Sequence, residues 1–79
     1  MIIEIYSKPD CPYCVQAENL CKQNAILIDY KKYMLDEDFT RDDLFEKFPT
    51  ARTFPQITLD GESIGGFMEF KEIVNSKRS

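Results

Sequence analysis

A chain of 79 residues is sized for one domain, 1–79, whose core is marginal unless it is well packed or stapled. Hydrophobic residues make up 43% of it, with six Phe and four Tyr, enough for a two-layer fold and against a disordered chain. A net charge of -4 argues against a nucleic-acid binder, which needs a basic face to neutralise phosphates. Three cysteines, an odd count with one close pair, do not resemble a secreted disulfide scaffold. Met1 runs straight into Ile2-Ile3-Glu4-Ile5-Tyr6 with no basic leader and no long apolar run. The expectation is a cytoplasmic protein in a reducing compartment, with no signal peptide and no membrane span.

Ile2 to Tyr6 is β-branched and aromatic, which suits a central strand buried on both faces. Ser7-Lys8-Pro9-Asp10 breaks it. From Pro12 to Asn24 the residues Cys14, Ala17, Leu20 and Cys21 recur at helical spacing, an amphipathic helix. Ala25 to Tyr30 reads as a second strand, and strand-helix-strand at this length implies a right-handed parallel crossover. The acidic run Asp36-Glu37-Asp38 reads as a solvated loop. Thr40 with Asp43 resembles a capping box, and Phe39 with Leu44 a hydrophobic staple. Leu44, Phe45 and Phe48 are expected to form that helix's buried stripe, with Pro49 as its stop. Gln56-Ile57-Thr58-Leu59 and Glu62-Ser63-Ile64-Gly65 flank Asp60-Gly61, the strongest local hairpin signal, expected as a type I′ turn. Gly65-Gly66 leads into a last helix whose inward stripe is Phe67, Phe70, Ile73 and Val74, ending in the basic Lys77-Arg78-Ser79. The order is β-α-β-α-β-β-α, an α/β fold.

The chemistry concentrates at Cys11-Pro12-Tyr13-Cys14, where the first strand gives way to the first helix. With Cys11 at the N-cap and Pro12 at the first helical position, unpaired amides and the helix's positive end face the Cys11 sulfur and favour thiolate. Cys14 lies one turn on, with α-carbons about 5–6 Å apart, within disulfide reach. Cysteines so placed have pKa values lowered to roughly 3.5–7.5. A structural zinc site wants four ligands, but there is no histidine, and the third thiol, Cys21, lies two turns, roughly 10 Å, from Cys14 on the same helix. No metal is expected, and Cys21 reads as a small core residue. A C-x-x-C at the junction of a βαβ unit is the arrangement of thioredoxin-like redox proteins. Lys8 adds positive charge near the thiolate or an anionic substrate, or is simply solvated. Asp10 works against the thiolate unless it turns toward solvent. Tyr13, exposed between the thiols, suits a substrate wall.

Cys11-Pro12-Tyr13-Cys14, then Thr53-Phe54-Pro55-Gln56-Ile57, then Ile64-Gly65-Gly66 closely resemble the glutaredoxin family, from Ile2 to about Val74. The resemblance implies a thioredoxin-like fold, a four-stranded mixed sheet flanked by three helices, with Pro55 in cis. It implies glutathione lying across the motif, its cysteine main chain pairing with the backbone of Phe54 between Thr53 and Pro55. Lys8 and Tyr13 would line the glycine-carboxylate side, with Arg52 a further candidate. Gly65 and Gly66, followed by Phe67 and Met68, would receive the γ-glutamyl end at the N-terminus of the last helix. Two positions depart from the family pattern. Phe54 replaces a small aliphatic residue, and Met68 stands where many relatives carry Asp or Thr, leaving Glu69 or backbone amides to meet the γ-glutamyl group.

The implied function is a glutathione-dependent thiol-disulfide oxidoreductase with no metal or organic cofactor, glutathione being a co-substrate. Cys11 attacks a target disulfide or a glutathionylated cysteine, Cys14 resolves protein mixed disulfides, and glutathione reduces the closed pair. Expected partners are glutathione and disulfide-containing or glutathionylated proteins, ribonucleotide reductase being the familiar target. A monomer is expected. Two alternatives stand beside this reading: a glutaredoxin-like hydrogen donor reduced by thioredoxin reductase, and a non-enzymatic iron-sulfur carrier using Cys11 and glutathione.

Overall fold

The computed structural model describes residues 1–78, with the backbone alone for Arg78. The elements are β1 (Ile2–Ser7), α1 (Pro12–Gln23), β2 (Asp29–Met34), α2 (Arg41–Lys47), β3 (Gln56–Leu59), β4 (Glu62–Gly65) and α3 (Phe67–Arg78). They form a four-stranded mixed sheet in the order β2-β1-β3-β4. β1 pairs parallel with β2 and antiparallel with β3, and β3 and β4 form the expected hairpin. Asp60 (φ 50) and Gly61 (φ 92) both take the left-handed backbone that a type I′ turn demands. The Asp60 carboxylate accepts the Ile2 N–H at 2.9 Å, tying the hairpin to the start of β1.

Burial alternates along β1. Ile3, Ile5 and Ser7 face one side and are essentially buried. There Ile3 and Ile5 pack with Ile28, Ile57, Ala17 and Cys21 of α1, and Phe70 and Val74 of α3, the main core. On the opposite face Leu35, Phe39, Leu44 and Phe48 form a smaller cluster against Tyr6, Tyr33, Ala51 and Phe54. β1 is therefore interior in the sheet, but it is not buried on both faces as expected. Glu4 and Tyr6 are only half-buried, and Ile2 is exposed. Glu4 works as a clamp, its carboxylate accepting from Tyr33 Oη of β2 (3.1 Å) and Thr58 Oγ1 of β3 (3.0 Å).

Two local expectations need correction. The second strand is not at 25–30. Asn24 caps α1, its carbonyl accepts the Leu27 and Ile28 amides in a turn, and β2 starts at Asp29. Ile26 is 99% exposed, and only Ile28 of that apolar run reaches the core. In α2, Leu44 and Phe48 are buried but Phe45 is 48% exposed, because a residue one step along a helix turns roughly 100° away from the stripe. Phe39 takes its place in the cluster. The helix start is as expected: Asp43 N–H donates to Thr40 Oγ1 (3.1 Å) and Thr40 N–H to the Asp43 carboxylate (3.0 Å). In α3, Phe70 and Val74 are fully buried, with Phe67 and Ile73 half-buried beside them. Of the basic end, Lys77 is exposed, while Ser79 and the Arg78 side chain lie outside the described residues.

Candidate active site

The crossover from β1 to β2 requires α1 to run back along the sheet, so its N-terminus lies at the end of the sheet where β1 finishes. Ser7 closes the strand, and Lys8-Pro9-Asp10 turn the chain, with Asp10 at φ 56, a backbone region that Asp tolerates better than most residues. Cys11 then occupies the N-cap of α1 with Pro12 at the first helical position. Pro12 has no N–H to leave unpaired there, and its fixed φ suits the helix. The Cys14 N–H donates to Cys11 Sγ at 3.2 Å, so the sulfur takes the role that a Ser or Asp oxygen plays at other helix starts.

Cys11 and Cys14 are joined as a disulfide, with α-carbons 5.2 Å apart. Cys11 is 8% and Cys14 4% exposed, and both line a surface groove. Cys21 is a free thiol, 1% exposed and packed among Ile3, Ile5 and Phe70. Burial, helped by the charge of Glu18, pushes the Cys21 thiol up to about 12, so it stays protonated and inert at neutral pH.

A groove of about 300 Å³ is lined by Tyr13, Thr53, Phe54, Pro55, Gly66, Phe67, Met68 and Glu69. The structure thus brings together most of the residues singled out in the sequence. Tyr13, 55% exposed, stacks on Phe67 with ring centres 5.9 Å apart, forming one wall. The Phe54-Pro55 bond is cis. Lys8 Nζ lies 5.8 Å above the Phe54 ring. Gly65 has φ 103, and a Cβ there would lie 3.1 Å from the Glu69 side chain, so this position has both a backbone and a packing reason to be glycine. Met68 is 63% exposed at the rim. Arg52 is not brought into this groove. Its exposed side chain lines a separate groove with Phe45, Pro49, Thr50 and Ala51.

Three features escaped the sequence reading. The Gly66 N–H, the amide expected to face a substrate carboxylate, donates instead to Glu69 Oε2 at 3.2 Å. Glutamate at the third position of a helix commonly reaches back to the N-cap amide, so the Gly66-to-Glu69 spacing carried that signal. A second, larger groove of about 560 Å³ is the one that Cys11 and Cys14 themselves line, with Ser7, Val15, Lys32 and Met34 beside them. Glu18 borders it and accepts from Tyr30 Oη (3.0 Å) and Lys32 Nζ (3.2 Å), pinning α1 to β2. Burial raises the Glu18 pKa, but those two donors outweigh it and hold the carboxyl below its ordinary 4.5. No sequence spacing links Lys32 and Met34 to the thiols, because only the parallel register beside β1 carries them there.

A disulfide at the N-cap of the first helix of a β-α-β unit, with both cysteines lining a surface groove, defines a thioredoxin-like thiol-disulfide oxidoreductase. Within that class the chain belongs to the glutaredoxin family, whose model, described as Glutaredoxin, matches residues 3–64. It is 33% identical to the glutaredoxin of Haemophilus influenzae, over 98% of this chain and 94% of the relative. It is 35% identical to glutaredoxin 1 of Escherichia coli, over 84% of each chain. The solved structure of reduced Escherichia coli glutaredoxin superposes with a TM-score of 0.82 at 31% identity, covering 96% of this chain and 95% of that one.

Proposed function

We propose that residues 1–79 act as one glutaredoxin domain, which uses glutathione to reduce protein disulfides and glutathionylated cysteines. Cys11 is the nucleophile and Cys14 the resolving thiol. The observation that carries this assignment is the N-cap bond: a backbone amide and the positive end of α1 both favour negative charge on Cys11 Sγ. Attack by the Cys11 thiolate on a glutathionylated target releases the target thiol and leaves glutathione on Cys11, and a second glutathione then displaces it as glutathione disulfide. A protein disulfide leaves the target on Cys11 instead. Cys14 displaces it, closing the disulfide seen here, and two glutathiones reopen that bond.

Glutathione would lie along the groove between Tyr13 and Met68, with the Thr53-Phe54-Pro55 backbone along one side and Lys8 near its glycine carboxylate. Gly65, Gly66, Phe67 and Met68 would flank the γ-glutamyl end. Arg52, which lines a separate groove next to Thr53, would be a further candidate for the glycine-carboxylate side. No resident cofactor is invoked. The proposal extends to a monomeric, cytoplasmic protein with ribonucleotide reductase among its targets.

The test is a pair of variants assayed on a glutathionylated peptide. Cys11→Ser should lose all activity, whereas Cys14→Ser should still deglutathionylate while failing on a protein disulfide. An inactive Cys14→Ser beside an active Cys11→Ser would reverse the assignment.

A further inference from the structure

Ser7 Oγ is buried with no hydrogen-bond partner, alone in this among the side-chain oxygens and nitrogens of the described residues. Ser7 is 1% exposed, so bulk solvent barely reaches it. A hydroxyl in that position has given up its bonds to solvent without replacing them, a cost that an alanine would avoid. Another state of the protein that provides an acceptor would satisfy the hydroxyl.

The topology indicates which acceptor. Ile3, Ile5 and Ser7 share the helix-facing side of β1, and Ile3 and Ile5 pack with Cys21 and Ala17. Because α1 runs back along β1, the next step in each series carries Ser7 toward the turn of α1 that holds Cys14. Both residues line the larger groove with Cys11. Cys11 Sγ already accepts a backbone amide, and the Ser7 hydroxyl on the same groove is a donor without a partner. In the disulfide, Cys14 sulfur is a weak acceptor. Reduction turns it into a thiol or thiolate, and a thiolate is a strong one.

We propose that Ser7 is a positioning residue whose hydroxyl donates to the Cys14 sulfur in the reduced protein and stabilises its thiolate. This rests on the glutathione reading above. Reduction takes two electrons from two glutathione thiols. The first glutathione thiolate breaks the Cys11–Cys14 bond and expels one sulfur as thiolate, and the second leaves as glutathione disulfide and frees the other sulfur. The two glutathione protons are then shared between the cysteine pair and solvent. Once Cys11 is held in a mixed disulfide, Ser7 favours the ionised form of Cys14, ready to displace a protein target from Cys11. It has no part in the glutathione mixed-disulfide cycle, where a second glutathione does the resolving. The charged groups around the same groove are Lys8 and Asp10 from the loop, Glu18 from α1 and Lys32 from β2. All four are unchanged in a Ser7→Ala variant, so their fields cancel in the comparison.

The experiment titrates Cys14 by thiolate absorbance in Cys11→Ser protein, with and without Ser7→Ala. Cys21 stays silent because burial keeps its thiol protonated through the range that Cys14 titrates in. The expected result is a Cys14 pKa about one unit higher without the hydroxyl, a tenfold loss of thiolate near neutral pH. In parallel, Ser7→Ala in protein with both active-site thiols should slow protein-disulfide reduction, and in Cys14→Ser protein it should leave deglutathionylation unchanged. An unmoved Cys14 pKa would overturn the proposal. Failure of the glutathione reading would show separately, as a Cys14→Ser protein with no deglutathionylation at all, while the titration still decides the role of Ser7.

Discussion

Cys14 and Cys21 sit on the same face of α1, two turns apart, and their surroundings give them opposite chemistry. Cys14 borders a groove and is bonded to Cys11, while Cys21 is sealed among isoleucines and Phe70. Cys21→Ala should leave turnover within error of wild type and cost about 1 kcal/mol, the scale for deleting a small buried group. Denaturant unfolding and a coupled activity assay read the two effects, and lost activity in a folded variant would contradict the core role. Met68 poses the opposite question, being exposed and on the groove rim. It offers no polar atom to a γ-glutamyl group, and the nearest carboxylate, Glu69, is already bonded to Gly66 N–H. Met68→Thr should therefore lower the apparent KM for glutathione by about two- to tenfold, the worth of one added hydrogen bond. An unchanged constant would remove this position from glutathione recognition.

At the scale of elements, the parts with a local physical code were legible in the sequence. The Thr40 and Asp43 capping box, the Asp60-Gly61 turn and Pro12 behind Cys11 each state their geometry in two to four residues, and each takes it in the structure. The second strand did not, because its code is not local. An edge strand needs no continuous apolar run, and Lys31 and Lys32 are residues that keep an exposed edge from pairing with other chains. The apolar Ile26-Leu27-Ile28 nearby reads more like a strand, yet it forms the turn that returns the chain to the sheet. Phe45 misled for a related reason, since composition marks it as core while the helical phase turns it outward. The cap itself can be tested. Thr40→Ala removes one bond and unpairs the Asp43 amide, and it should cost about 1 kcal/mol, lowering Tm by about 4–8 °C in a domain of this size. An unchanged Tm would mean that solvent replaces the cap.

Across the whole molecule, function depends on the end of the sheet where β1 stops and α1 begins. The sequence motifs predicted most of the smaller groove, since they were spaced along the chain in a familiar order. The larger groove, with Ser7, Lys32 and Met34, and the capping of Gly66 by Glu69 emerge only once the sheet is assembled. The groove that both cysteines line and the separate groove at Tyr13 and Phe54 fit the proposed division of labour, in which glutathione would lie against Tyr13 and Phe54 and Ser7 would govern how readily Cys14 resolves. A protein served by thioredoxin reductase would need an exposed disulfide and a docking surface, but neither Lys8 beside Phe54 nor the paired glycines. The most direct measurement is reduction of the Cys11–Cys14 disulfide by each donor system in turn. Rapid turnover with glutathione and glutathione reductase, and little with thioredoxin reductase, is the result expected here; fast reduction by thioredoxin reductase with none by glutathione would contradict it.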